Sequence, residues 1–101
     1  MNKDVLTPGQ LRELLAIFKE RHGADYRLRK LGYFGSYACN TATPTSDVDI
    51  VFDTDTPNLF MTAMMKQDLE QLLRRPVDVL QLRGLTNARL KARIEKEAIY
   101  V

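Results

Sequence analysis

Gly35-Ser36, ten intervening residues, Asp47-Val48-Asp49 and a later Asp78 form the one constellation in these 101 residues whose types and spacing suggest chemistry. A glycine and a serine at a strand-to-helix turn let backbone N–H groups approach an anion closely, and the start of the following helical turn adds a favourable dipole. The serine hydroxyl supplies one more donor. Asp47 and Asp49 are two apart, so on a strand both carboxylates project from one face. That spacing suits bridging of two divalent cations roughly 3.5–4 Å apart, the arrangement that serves phosphoryl and nucleotidyl transfer. Asp78, flanked by Pro76, Val77, Val79 and Leu80, reads as a charge inside a buried strand, which is costly unless compensated. It would complete the cage. Each feature has a plainer reading by itself: Asp78 can pair with Arg74 or Arg75, and Asp47 and Asp49 can decorate a polar strand face. Neither accounts for three acids and a Gly-Ser turn together.

The elements that must position these residues follow from periodicity and punctuation. Thr7-Pro8-Gly9-Gln10 opens a helix with a capping box, and Leu11, Leu14, Leu15 and Phe18 give it one apolar stripe. Gly23 is expected to end it in the left-handed conformation. Residues 26–34 read as a strand weakened by Gly32, and YACN after Ser36 as a short helical turn that Asn40 can close. Asp47 to Phe52 is the clearest strand, with Val48, Ile50 and Phe52 on one face and Val51 on the other with the two acids. Thr56-Pro57 opens a second long helix to about Arg74, with Met61, Met65, Leu69, Leu72 and Leu73 inward. PVDVLQL from Pro76 is a further strand, and Thr86 to Ile99 a last helix with Leu90, Ile94 and Ala98 inward. The order predicts an α/β single domain over 1–101, a small mixed sheet with helices on its flank.

Composition sets the outer limits. Apolar residues make up 45% and charged residues 28%, which excludes collagen, a disordered tail and a disulfide scaffold. The single cysteine, Cys39, has no internal partner and suits a reducing cytoplasm. The polar start MNKDV does not read as a signal peptide, and no apolar run approaches a membrane span. A net charge of +2 argues for no nucleic acid by itself, but its distribution is uneven. Residues 74–97 carry seven bases against three acids, while 47–55 carry four aspartates and no base. That arrangement suits a metal-bound phosphate with cationic surroundings, or, more blandly, solvated helix faces.

Weaker candidates fall away on chemistry. Asp47, Asp49, Asp53 and Asp55 superficially match a calcium loop but lack its glycine and enclose Val-Ile-Val-Phe; Asp53 and Asp55 read as a turn at the far strand end. His22, at a helix end without a second soft ligand, reads as solvent-facing and not as a zinc ligand. Cys39 reads as a free thiol. Tyr33, Phe34 and Tyr37 are candidates for a ring that stacks on a base, with core packing the expected fate of the first two, and the Met61, Met64, Met65 cluster reads as helix core.

The segments Y33-F34-G35-S36-Y37-A38, S46-D47-V48-D49-I50-V51 and P76-V77-D78-V79-L80 resemble the signature of the minimal nucleotidyltransferases of the DNA polymerase β-like superfamily. The resemblance covers nearly the whole chain. It implies a nucleotidyltransferase fold in which Gly35 and Ser36 hold a nucleoside triphosphate and Asp47, Asp49 and Asp78 bind Mg²⁺ and serve catalysis. Two positions depart from the pattern: Cys39 stands where such proteins usually carry arginine, removing a cation near the phosphate site, and Asn40 replaces a glycine. The resemblance further implies a HEPN-domain partner, often a ribonuclease toxin, with this chain as antitoxin moving AMP from ATP to a hydroxyl on that partner, and no membrane. Direct nucleic-acid binding is not required. The alternative is a module that neutralises its partner by contact, with the site idle.

Overall fold

The computed structural model describes residues 5–101, so the polar start MNKD lies outside the described residues. Helix α1 (Pro8–His22) carries the expected capping box: Thr7 Oγ1 accepts from the Gln10 amide at 3.0 Å, and Gln10 Oε1 accepts from the Thr7 amide at 2.9 Å. Its end differs from expectation. Gly23 is right-handed (φ −58°) because the chain winds through a further turn, and Arg27 (φ 51°) takes the left-handed position. The Leu28 amide then donates back to the Gly23 carbonyl at 2.8 Å, closing the turn as a helix terminus does.

Strands β1 (Leu28–Phe34), β2 (Val48–Thr54), β3 (Val77–Gln81) and β4 (Ile99–Tyr100) form one mixed sheet in the order β3-β2-β1-β4. β2 pairs antiparallel with β1 and parallel with β3, and β4 runs antiparallel to β1. The parallel step is bridged by α2 (Leu59–Leu73), the crossover that a parallel pair requires. α2 starts two residues later than Thr56-Pro57 suggests, because Asn58 Oδ1 accepts from the Phe60 and Met61 amides. Helix α3 (Ala88–Glu97) is likewise capped by Asn87 and stops early, since Ile99-Tyr100 leaves it to pair with Tyr33 and Gly32.

The two sheet faces have different fates. Leu31, Tyr33, Val48, Ile50, Phe52 and Val77 pack under α1 and α2 against Leu11, Leu15, Phe18, Met65, Leu69 and Leu73. On the other face Phe34 and Val51 pack only against Ile94, with Leu80, Leu82, Leu90 and Ala98 around them. α3 therefore covers Phe34 and Val51 on that face and leaves Asp49 half-buried and Asp78 exposed. Arg83, in the short 3₁₀ turn Leu82–Gly84, donates from Nε to Asp53 Oδ1 at 2.7 Å, anchoring the β3–α3 connection. Asp53 thus lies within β2, not in a turn, and Asp55 beyond it meets Arg29 Nη1 at 3.4 Å.

Tyr26 ties the α1–β1 connection to α2 by donating to Asp68 Oδ2 at 2.6 Å. Burial and then this carboxylate push the phenol from 10.0 to about 12. The protonated form is favoured by folding, so its contribution is complete below pH 10 and disappears as pH rises through about 12. Tyr26→Phe is expected to cost about 1 kcal/mol at neutral pH. Urea titrations across that alkaline window should show the variant losing less stability than the parent.

Candidate active site

Asp49 is the second residue of β2. Its register partner on β1 is Phe34 and on β3 is Asp78, so the three side chains form one row across three strands. The alternation of a strand sends Val48 and Ile50 into the core and Asp49 to the opposite face. Asp49 is half-buried, Asp47 and Asp78 exposed. Two premises of the sequence reading change here. Asp47 stands just before β2, whose ladder begins at Val48, and is not itself a strand residue. β3 is an edge strand, so Asp78 is not buried. Arg75, a suggested partner of Asp78, turns instead to the Tyr37 hydroxyl at 2.8 Å and the Leu73 carbonyl at 3.1 Å.

Gly35 follows Phe34 directly and is buried at φ 72°. A Cβ at Gly35 would collide with the Asp49 carboxylate. The glycine is therefore required twice, by a left-handed backbone and by the carboxylate lying against it. The next residues form a helical turn: the Cys39 amide donates to the Gly35 carbonyl and the Thr41 amide to the Ser36 carbonyl, both at 2.9 Å, with Asn40 left-handed at φ 59°. Asn40 closes that turn as expected. The Ser36 hydroxyl makes no hydrogen bond among the described residues, and Cys39 is exposed and free. Tyr37 is buried in the core, so it is no stacking ring.

The electrostatics at Asp49 are those of crowded carboxylates. Burial first, then the charges of Asp78 and Asp47, push its carboxyl above the usual carboxylate range, while Arg93 on α3 pulls the other way. Among the described residues no group of three carboxylate, imidazole or thiolate side chains is gathered as a metal site. The structure brings Asp49 and Asp78 together in register, with Asp47 near enough for its charge to act. An all-oxygen donor set with unbalanced negative charge fits a hard divalent cation.

Beside this row runs an open cleft of about 490 Å³, in which Asp49, Asp78 and Phe34 meet Leu90 of α3 and Ala63 and Lys66 of α2. Lys66 went unnoticed in the sequence. It lies on a stripe with Leu59, Thr62 and Ala63, at i, i+3, i+4 and i+7, a spacing that could have exposed a second face of α2 beside its buried Met65-Leu69-Leu73 face. Among the described residues no helix is long and apolar enough to cross a membrane.

Known proteins resemble this chain in sequence and fold. Residues 11–101 match the nucleotidyltransferase domain family. The protein adenylyltransferase MntA of Thermococcus cleftensis is 31% identical over 98 residues, covering 96% of this chain and 98% of that protein. A candidate protein adenylyltransferase of Methanocaldococcus jannaschii, MJ0126, is 32% identical over 96 residues, covering 94% and 98%. Among solved structures, a candidate minimal nucleotidyltransferase superposes with a TM-score of 0.76 at 30% identity, covering 93% of this chain and 95% of that one. The tri-AMPylated Shewanella oneidensis HEPN toxin in complex with MNT antitoxin contains the same fold, at a TM-score of 0.65 and 24% identity, covering 90% and 69%. With the match running from α1 through β4, the chain belongs to the nucleotidyltransferase domain family and is a nucleotidyltransferase of the minimal kind.

Proposed function

We propose that this chain, as a single domain over 1–101 in the cytoplasm, transfers AMP from ATP to a hydroxyl of a HEPN-type partner and thereby acts as its antitoxin. The observation that carries the reading is the register of Asp49 against Asp78, with the Gly35 backbone packed on Asp49. The names of the relatives support the chemistry, and a related toxin–antitoxin structure with AMP-PNP supports the nucleotide. Asp47, Asp49 and Asp78 are the residues to hold Mg²⁺, which when bound would neutralise phosphate charge and favour ionisation of the acceptor hydroxyl. Gly35 and Ser36 cradle the β and γ phosphates, the unengaged Ser36 hydroxyl donating to them. The acceptor oxygen bonds to the α-phosphorus, the α–β phosphoanhydride bond breaks, and pyrophosphate leaves. Asp78, exposed on the edge strand, serves the acceptor side and favours loss of the hydroxyl proton.

This division of labour separates two kinetic quantities. Asp78→Asn is expected to lower turnover roughly 100-fold while changing ATP binding less than about threefold, and not to lower the melting temperature, because the side chain is exposed and its charge disfavours ionised Asp49. Loss of stability with full specific activity would remove Asp78 from the site. For the function as a whole, pyrophosphate release from Mg-ATP should be slow for the isolated chain and rise strongly when the HEPN protein is added. The carboxylate row and the Gly35–Ser36 turn place the triphosphate, and the partner surface orients the acceptor. Equal release with and without partner would contradict the proposed acceptor.

A further inference from the structure

Arg93 lies between two residues whose positions are fixed. Leu90, three residues earlier on α3 and so on the same side of the helix, lines the cleft with Asp49 and Asp78. Ile94, the next residue, is fully buried against Phe34 and Val51, and Phe34 is the register neighbour of Asp49. The helix therefore carries Arg93 toward the carboxylate row. Its guanidinium is held from one side only. Nε lies 3.3 and 3.4 Å from the two carboxylate oxygens of Glu97, one turn on, and the terminal nitrogens make no hydrogen bond among the described residues. The side chain is 57% exposed, so this pair contributes little to stability and leaves the outer edge of the fork open. Of the charges acting on Asp49, that of Arg93 is the positive one. The Gly35–Asn40 turn brings no cation of its own, since Cys39 stands exposed there.

We propose that Arg93 is a nucleotide-positioning residue, whose terminal guanidinium nitrogens take a phosphate of the bound nucleoside triphosphate from the α3 side of the cleft. The assignment rests on the nucleotide reading above. Arginine suits the task because its planar fork donates two parallel bonds to phosphate oxygens while Nε stays with Glu97. Lys91 provides a charge-matched control on the same helix. It faces a different hollow, with Lys30, Asp53, Arg83 and Tyr100.

Calorimetric titration with Mg-AMP-PNP, a nucleotide that supports no turnover, tests the assignment apart from activity. Arg93→Gln is expected to weaken binding roughly 10- to 100-fold, Arg93→Lys to recover part of the loss, and Lys91→Gln to stay within about twofold. With ATP as substrate, the Arg93→Gln effect should fall mainly on KM. Circular dichroism of each variant should match the parent. Binding by Arg93→Gln within about twofold of the parent, or an equal loss in Lys91→Gln, overturns the Arg93 assignment and leaves the proposed function standing. Absence of nucleotide binding by the parent overturns both.

Discussion

Asp49→Asn is expected to lower nucleotide-dependent transfer on the order of 10³-fold, because a carboxylate that holds the metal contributes several kcal/mol to the transition state. The same substitution should raise the melting temperature in metal-free buffer. Asp49 is pushed toward its protonated form by burial and by the charges of Asp78 and Asp47, so its ionised form is a burden on the fold. The sign follows from linkage. A carboxyl whose folded-state proton affinity is raised is most destabilising once pH exceeds that raised value, and the gain from asparagine grows in that direction. Activity and stability thus move oppositely in one variant, which general misfolding cannot produce. Transfer assays at saturating Mg²⁺ beside thermal melts in chelator measure both, and near-parental transfer by Asp49→Asn contradicts the site.

Gly35→Ala should damage both quantities. A left-handed backbone at φ 72° costs a non-glycine residue roughly 1–2 kcal/mol, and the added Cβ meets the Asp49 carboxylate. For a domain of this length that corresponds to a fall in melting temperature of roughly 5–15 °C. The variant relieves the collision by displacing Asp49 or the turn, and a displacement near 1 Å is worth about 100-fold in rate. Melts and transfer rates of Gly35→Ala beside Gly9→Ala, where an added Cβ meets only Thr7 Oγ1 at an ordinary 4.0 Å, separate the site effect from the general effect of removing a glycine. Transfer by Gly35→Ala within a fewfold of the parent would show that the Gly35–Asp49 contact does not matter.

The legible parts of this molecule were those written in local signals. The capping box at Thr7, the alternation through Val48, Ile50 and Phe52, and the left-handed Asn40 each depend on a few adjacent residues. What escaped depends on contacts between distant segments. β4 is two residues long and has no periodicity to detect. Gly32, read as a weakness in β1, marks the place where Ile99 and Tyr100 cross so closely that a Cβ would meet the Ile99 backbone. Gly23 lost its expected role to Arg27 because the chain kept turning before the strand began. Around the candidate site, sequence spacing anticipated Asp49 on a strand and a turn after Gly35 but misjudged exposure. Whether Asp78 is buried depends on β3 being the sheet edge, and nothing in PVDVL states that. The contact of Gly35 with Asp49 and the approach of Arg93 from α3 were equally invisible before the register and the helix placement were known.

Incubation of the chain with the proposed HEPN-type partner, Mg²⁺ and α-³²P-ATP tests the central claim most directly. The proposed function predicts a stable complex in which label passes to a hydroxyl of the partner, most readily a tyrosine, with pyrophosphate released in equal amount and no label when Asp49→Asn replaces the parent. A complex that forms without label, and in which Asp49→Asn still neutralises the toxin, would contradict it and leave a module that acts by contact alone.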